Sequence, residues 1–291
     1  MIAVAQTIMN SESEVIDIMK FFRHLISALS MYSRIPMPRI DRRDDDGRGE
    51  DLKPDGARSL MFLPFVGAII GVVMFLLVRL MSVLSVPLSV KGMAAVLVPL
   101  FISGGFHIDG YMDTSDALSS YAQRERKLEI MKDPHIGSFA VIRFSMLLLV
   151  MTGALTVLIG IETSRQIPVF ILACVVFTAS RALAALSSLY MKKAKDDGML
   201  AKETEDPDAL CVVVLSLWLT ASFALAAYID VAEAGVMAAA FILFTLYYRH
   251  ITSKNFGGVT GDTAGYFVAA SETFVIFVLA VFKLIMTGLV K

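Results

Sequence analysis

"MAAVLVPLFISGGFHIDGYMDTSDALSS", Met93 to Ser120, joins two chemistries that rarely sit side by side. Its first half is almost wholly apolar. Its second half places His107, Asp109, Asp113 and Asp116 within ten residues. An apolar run of this kind that stops at a group of carboxylates reads as a membrane helix ending at a polar site. Ionisable groups at membrane depth are costly and mark function by default.

The rest of the chain supports the membrane reading. Of 291 residues, 56% are hydrophobic and 18% charged, with a mean hydropathy of +0.70. Soluble domains carry about 25% charged residues, and here the charges are clumped into short segments. No basic domain or interleaved aromatic and basic face is present, so a nucleic-acid partner is excluded. Cys174 and Cys211 lie within apolar runs and read as small buried hydrophobes rather than a disulfide framework. The N-terminus "MIAVAQTIMNSESE" has no basic n-region and too short an apolar core for a signal peptide. Insertion is therefore expected to rely on internal segments.

A helical span takes about 20 mostly apolar residues. Seven candidates follow: Phe62–Leu84, Met93–Phe106, Phe139–Ile161, Ile167–Tyr190, Ala209–Ile229, Ala234–Tyr248 and Tyr266–Leu289. The second and sixth are short, as for helices that stop at depth or continue into a cavity. Val15–Tyr32 has apolar residues at helical spacing among Asp17, Lys20, Arg23 and His24; it reads as an amphipathic helix, on the interface or packed as an eighth element. The predicted fold is an all-α polytopic integral membrane protein, about seven transmembrane helices plus that N-terminal helix. It forms one membrane-embedded domain over 1–291, with residues 1–58 as the N-terminal helix and charged loop and 59–291 as the bundle.

Lysine and arginine alternate with the spans. Arg34–Arg58 carries seven, and the loops after the second, fourth and sixth spans carry Arg124, Arg126, Lys127 and Lys132, then Lys192, Lys193, Lys195 and Lys202, then Arg249 and Lys254. The opposite loops hold only Lys91, Arg165 and the terminal Lys291. The positive-inside rule places the basic side in the cytoplasm. "SRIPMP" (Ser33–Pro38), the aspartate motif, "RKLEIMKDPHIG" (Arg126–Gly137) and "GGVTGDTAGY" (Gly257–Tyr266) all fall on that side. Transporter sites usually lie near the midplane; motifs gathered at one face point to chemistry on a cytoplasmic substrate. The insert "DRRDDDGRGEDLKPDG" (Asp41–Gly56) mixes signs with Gly and Pro and reads as a mobile loop.

Asp109, Asp113 and Asp116 are spaced four and three apart, which puts them on one helix face. They read either as a solvated helix end with aspartate caps or as a divalent-cation site, because unpaired carboxylates so arranged repel each other and a divalent cation converts that repulsion into binding. Hard oxygen ligands suit Mg²⁺ or Mn²⁺, and carboxylate-held Mg²⁺ commonly binds substrate phosphates as well. Gly104, Gly105 and Gly110 admit either a close ligand or a bend. His107 reads as a hydrogen-bonded histidine at the helix start, with metal ligand and proton shuttle as the other readings.

In "NFGGVTGDTAGYFVAASE" (Asn255–Glu272), Gly257, Gly258 and Gly261 punctuate a loop, Thr260 or Asp262 caps the following helix, and the backbone N–H groups there suit phosphate. Asp262 sits at the same face as the aspartate trio, which strengthens the phosphate reading of this turn. Glu272, almost three turns further on, either serves the site or pairs with Arg143 or Arg181. Lys132 beside Asp133, Arg143 inside its span, and Arg34 before a rigid Pro-x-Pro are the candidate phosphate contacts. Grouped carboxylates, a glycine-rich turn and fixed cations at one face are what phosphoryl transfer needs.

These motifs, with "FLPFVGAIIG" (Phe62–Gly71), resemble in the same order those of the cobalamin synthases, the adenosylcobinamide-GDP ribazoletransferases. The likeness runs through most of the chain. Tyr111-Met112 and Ala117 depart from the small or leucine residues common there, and the charged insert is longer. The resemblance implies transfer of GDP-activated adenosylcobinamide phosphate to α-ribazole or its 5′-phosphate, with release of GMP and a requirement for Mg²⁺. It implies a multi-pass protein of the bacterial inner membrane whose partners are those two substrates and the lipid bilayer; an oligomer is compatible with it. On this reading Asp109, Asp113, Asp116 and Asp262 hold metal or move a proton. Arg34, His107, Lys132, Asp133, Arg143, Gly257, Gly258, Thr260, Gly261 and Glu272 contact substrate. The nearest alternatives are a CDP-alcohol-phosphotransferase-like enzyme, whose acidic motif has a different spacing, and a cation-coupled transporter.

Overall fold

The computed structural model describes residues 22, 24–37, 56–162, 170–194, 200–201, 204 and 209–289. Residues 15–21 and 23 of the predicted N-terminal helix, insert residues 41–55, and Arg165, Lys195, Lys202 and Lys291 lie outside the described residues. The described chain is helical: α1 (Gly56–Leu60), α2 (Leu63–Val83), α3 (Leu88–Ser103), α4 (Phe106–Ser119), α5 (Arg124–Ile130), α6 (Ser138–Glu162), α7 (Phe170–Tyr190), α8 (Ala209–Ile229), α9 (Val231–Phe256) and α10 (Gly261–Leu289). Among the described residues the one β feature is an isolated parallel bridge between Lys193 and Val259.

Among the described residues six helices are long and apolar enough to cross a membrane, and a seventh crossing is made if α3 and α4 count as one bent span. The exterior is apolar, the reverse of a soluble protein: Leu76, Leu149, Leu217, Leu243 and Leu284, from five different helices, are all more than half exposed. Such a band belongs against lipid.

Two departures from the sequence expectation concern lengths. The sixth span is not short, because α9 runs unbroken to Phe256. Its last turns hold Arg249, His250, Lys254 and Asn255, which stay helical where the helix emerges into water; hydropathy alone cuts the segment too early. The second is short, and at 16 residues α3 extends only about 24 Å at 1.5 Å per residue. It ends in a 97° bend into α4. The bend is made by Gly104 and Gly105, whose φ angles of 64° and 86° lie in the left-handed region that glycine enters freely.

The bundle is built around α7, the most enclosed of the long helices, which packs against α2, α6, α8 and α10. Lipid offers no hydrophobic gain from pairing two apolar helices, so close approach of small residues carries the contact. Gly67 and Gly71 on α2 supply it. A Cβ on Gly67 would lie 2.2 Å from the Phe177 carbonyl oxygen, and one on Gly71 would lie 2.6 Å from that of Cys174. Both cysteines are buried in the core. Residues 24–32 are helical, and Ala28, Leu29 and Tyr32 are buried in the same apolar core as α2 and α7, so this part of the N-terminal segment packs as an element of the bundle.

Candidate active site

The 97° bend lays α4 against α10 and α6. Two glycines permit that approach. A Cβ on Gly110 would meet the backbone of Asp262, at 2.6 Å from its oxygen and 2.9 Å from its Cα, and one on Gly265 would lie 3.1 Å from the His107 carbonyl. Gly110 therefore admits neither a ligand nor a bend; it admits another helix. Tyr111 and Tyr266 stack across the same seam, centroids 5.3 Å apart and planes within 8°. The Tyr111 hydroxyl donates to the Arg143 carbonyl oxygen at 3.3 Å, tying α6 to the pair.

This packing gathers the four aspartates. Asp113 lies within electrostatic reach of Asp109, Asp116 and Asp262, and Asp109 likewise acts on Asp262. Asp109 is exposed and the other three are half-buried, so the group opens to the side on which the motifs lie. Asp116 faces the turn before α6, where a Cβ on Gly137 would lie 2.0 Å and 2.2 Å from its two carboxylate oxygens. Among the described residues none of the four takes part in an ion pair. Like charges held this close without a cation are costly.

The donor set fits a divalent cation in kind, since carboxylate oxygens are the ligands Mg²⁺ prefers. Among the described residues no three His, Cys, Asp or Glu side chains converge as a ready-made metal cage. Mg²⁺ does not demand one: it keeps several waters and takes one or two carboxylates together with substrate phosphates.

The other candidates divide into three groups. Thr260 is the residue that caps α10: its hydroxyl accepts from the Thr263 N–H at 3.2 Å, and the Thr263 hydroxyl accepts from the Thr260 N–H at 2.8 Å. Asp262 does not cap α10 from this position, and its carboxylate lies within electrostatic reach of Asp109 on α4. Gly261 faces open space. Arg34 is exposed beside the bend, its N–H bonded to the Ile102 carbonyl at 2.7 Å and its side chain against Gly104.

A second group is engaged in packing. Gly257, with φ 76°, makes room for the Arg124 guanidinium, and a Cβ on Gly258 would lie 2.3 Å from the Lys192 carbonyl oxygen. The loop is stitched to the end of α7 by Val259 N–H to the Lys192 carbonyl at 2.8 Å and Ala194 N–H to the Val259 carbonyl at 2.9 Å. From α5, Arg124 donates to the Ala194 carbonyl at 3.3 Å and Lys127 to Asn255 Oδ1 at 2.7 Å. Arg124 and Lys127 of α5 thus brace the glycine loop, a role that loop position and charge do not reveal.

The third group comprises Glu272, His107, Lys132, Asp133 and Arg143, of which Glu272 and His107 line a separate cavity. Glu272 forms a buried ion pair with Arg181 on α7 and accepts from the Ser180 hydroxyl at 2.8 Å. His107 is buried, its ring edge-on to Phe106, and its Nδ1 has no hydrogen-bond partner; the hydrogen bond expected of it is not made at that atom. It lines a small cavity of about 20 Å³ with Arg181 and Glu272. Lys132 and Asp133 are exposed in the turn before α6, and Arg143 is half-buried one and a half turns into that helix. The His135 N–H and imidazole, at 3.0 Å and 2.7 Å from Asp133 Oδ1, hold the Asp133 carboxyl below the usual carboxylate range.

Comparison with known proteins bears on the four-aspartate site directly. The profile of the cobalamin-5-phosphate synthase family matches residues 24–280, which include every described element of the site. The chain belongs to the cobalamin-5-phosphate synthase family. The adenosylcobinamide-GDP ribazoletransferase of Lachnoclostridium phytofermentans is 34% identical over 257 residues, covering 87% of this chain and 92% of that protein. The enzyme of the same name from Listeria monocytogenes serotype 4a is 35% identical, covering 84% and 91%, and that from Clostridium botulinum is 28% identical, covering 86% and 94%. No solved structure matches. Membership in the cobalamin-5-phosphate synthase family agrees with the resemblance carried by the sequence motifs.

Proposed function

We propose that this chain is an Mg²⁺-dependent adenosylcobinamide-GDP ribazoletransferase, acting at the cytoplasmic face of a bacterial inner membrane. The observation that carries the reading is the convergence of Asp109, Asp113, Asp116 and Asp262, from two helices far apart in sequence, without an ion-pair partner among the described residues. Family membership and the names of the relatives support the substrate assignment.

In the reaction, the ribose 3′-oxygen of α-ribazole, or of its 5′-phosphate, forms a bond to the phosphorus attached to the cobinamide arm. The bond from that phosphorus to the bridging oxygen breaks, and GMP leaves. The hydroxyl proton passes to a carboxylate, to which we assign Asp262 at the start of α10. Asp109, Asp113 and Asp116 would hold Mg²⁺, whose charge offsets that of the diphosphate. Lys132 and Arg143 contact the phosphates, and exposed Arg34 faces the substrate at the bend. Packing takes up Gly257 and Gly258, so the open part of the turn is Gly261. Catalysis of this type is positioning plus charge stabilisation.

The test is GMP release by purified protein in lipid nanodiscs, given GDP-cobinamide, α-ribazole and Mg²⁺. Stoichiometric GMP and cobalamin are expected. Cation flux through reconstituted protein with no GMP would instead establish a transporter.

A further inference from the structure

On the motif side, the ends of α7 and α9 enclose a cavity of about 420 Å³, within the roughly 300–1,000 Å³ of small-molecule sites. Ser187, Tyr190 and Lys192 line it from one helix end, Arg249 and Ser253 from the other, and Gly258–Val259 closes it. Among the described residues no acidic side chain lines it. Lys192 and Arg249 are exposed, and among the described residues neither takes part in an ion pair. Positive charge on this face is ordinary for a membrane protein. Here, though, two cations, Arg249 from α9 and Lys192 from the segment after α7, converge on one concave space of ligand size.

The wall of this cavity is firmly placed. Val259 is hydrogen-bonded in both directions to the strand-like segment after α7, and Gly258 is pressed against the Lys192 backbone. Only four residues further on stands Asp262. The cavity and the aspartate group are therefore joined by one short, tied-down stretch of chain. Tyr190 is 70% exposed and presents an aromatic face on the cavity lining, a surface on which a planar base stacks.

We propose that this cavity binds the phosphate of an organic phosphate ester, with Lys192 and Arg249 as its cationic contacts and Tyr190 beside the attached group. Two sources carry that chemistry: a nucleoside phosphate, which would make this the seat of the donor's nucleotide end, and the headgroup of an anionic lipid at the membrane surface. The nucleotide assignment rests on the transferase reading above; the phosphate site itself does not.

GMP binding to wild-type protein and K192Q/R249Q, in nanodiscs of neutral phosphatidylcholine, is one arm of the test. Retention of phosphatidylglycerol during purification, read by lipid mass spectrometry, is the other. For a nucleotide site GMP affinity falls about tenfold or more in the variant, as expected when charge-assisted contacts are removed, while R249K stays within about threefold of wild type. For a headgroup site GMP binding is absent and phosphatidylglycerol retention falls. If neither property changes, the proposal is overturned. Should the double variant not fold, protection of Lys192 from acylation in wild-type protein decides: GMP or phosphatidylglycerol shields it if the site is real, and neither does if it is not. A wild-type protein that binds GMP here yet releases none from GDP-cobinamide would overturn the transferase reading and leave this site standing.

Discussion

Gly110 and Asp262 meet backbone to backbone, with no room for even a methyl group between α4 and α10. Each helix carries part of the carboxylate group, so the distance between these two residues sets whether Asp262 and the aspartates of α4 form one site or two.

Gly110→Ala is therefore expected to separate the helices. The added Cβ would fall 2.6 Å from a backbone oxygen that cannot rotate away. Overpacking of this kind costs about 1–3 kcal/mol, which the bundle survives. Turnover should fall at least about tenfold, since misplacement by about an ångström weakens positioning catalysis by more than that. Gly265→Ala, where the nearest atom is at 3.1 Å, should be milder. GMP release and thermal unfolding of both variants provide the comparison, and equal activity in G110A and wild type would refute the account.

Asp113 faces the other three carboxylates of the site. Asp113→Asn keeps its shape and removes its charge, and turnover is expected to drop by about 100-fold or more, as for loss of a group that acts in the transition state. Circular dichroism should be unchanged. Wild-type turnover in D113N would exclude the metal assignment.

Metal removal separates binding from chemistry. EDTA should abolish GMP release without unfolding the protein, and added Mg²⁺ should restore it. Mg²⁺ should also raise the unfolding temperature of the wild type, by the mass-action stabilisation expected of any ligand that binds only the folded state. D113N should lose that shift. An active protein in EDTA would rule out the requirement.

The Arg181–Glu272 pair sits between α7 and α10 with both side chains buried. Glu272→Ala leaves a buried guanidinium with no counter-charge, and destabilisation of about 3–5 kcal/mol is expected. Replacing both residues by methionine removes the uncompensated charge and should recover most of that loss. If the single and double variants unfold at the same temperature, the pair is not what holds Glu272.

Much of the fold was legible in the chain before any coordinates. Apolar runs near 20 residues allow no other structure in a bilayer, because every backbone N–H and C=O must be satisfied within the segment. The alternation of lysine and arginine set the common side of the motifs. Spacings of four and three placed Asp109, Asp113 and Asp116 on one face. Helix ends were less legible: the polar last turns of α9 fail a hydropathy criterion yet remain helical.

What local sequence does not encode is which surfaces meet. The same glycine signal means a left-handed bend at Gly104 and Gly105, a helix contact at Gly110, and a seat for Arg124 at Gly257. The partner of Glu272 was one of two arginines until packing brought Arg181 to it. Lys192 and Arg249 looked like ordinary positive-inside charges until two helix ends enclosed a cavity around them. Periodicity and charge along a chain determine what each helix is and which way it faces, since these depend on neighbours in sequence. The site depends on contacts between residues as far apart as Gly110 and Asp262, and only close packing of the whole bundle decides those.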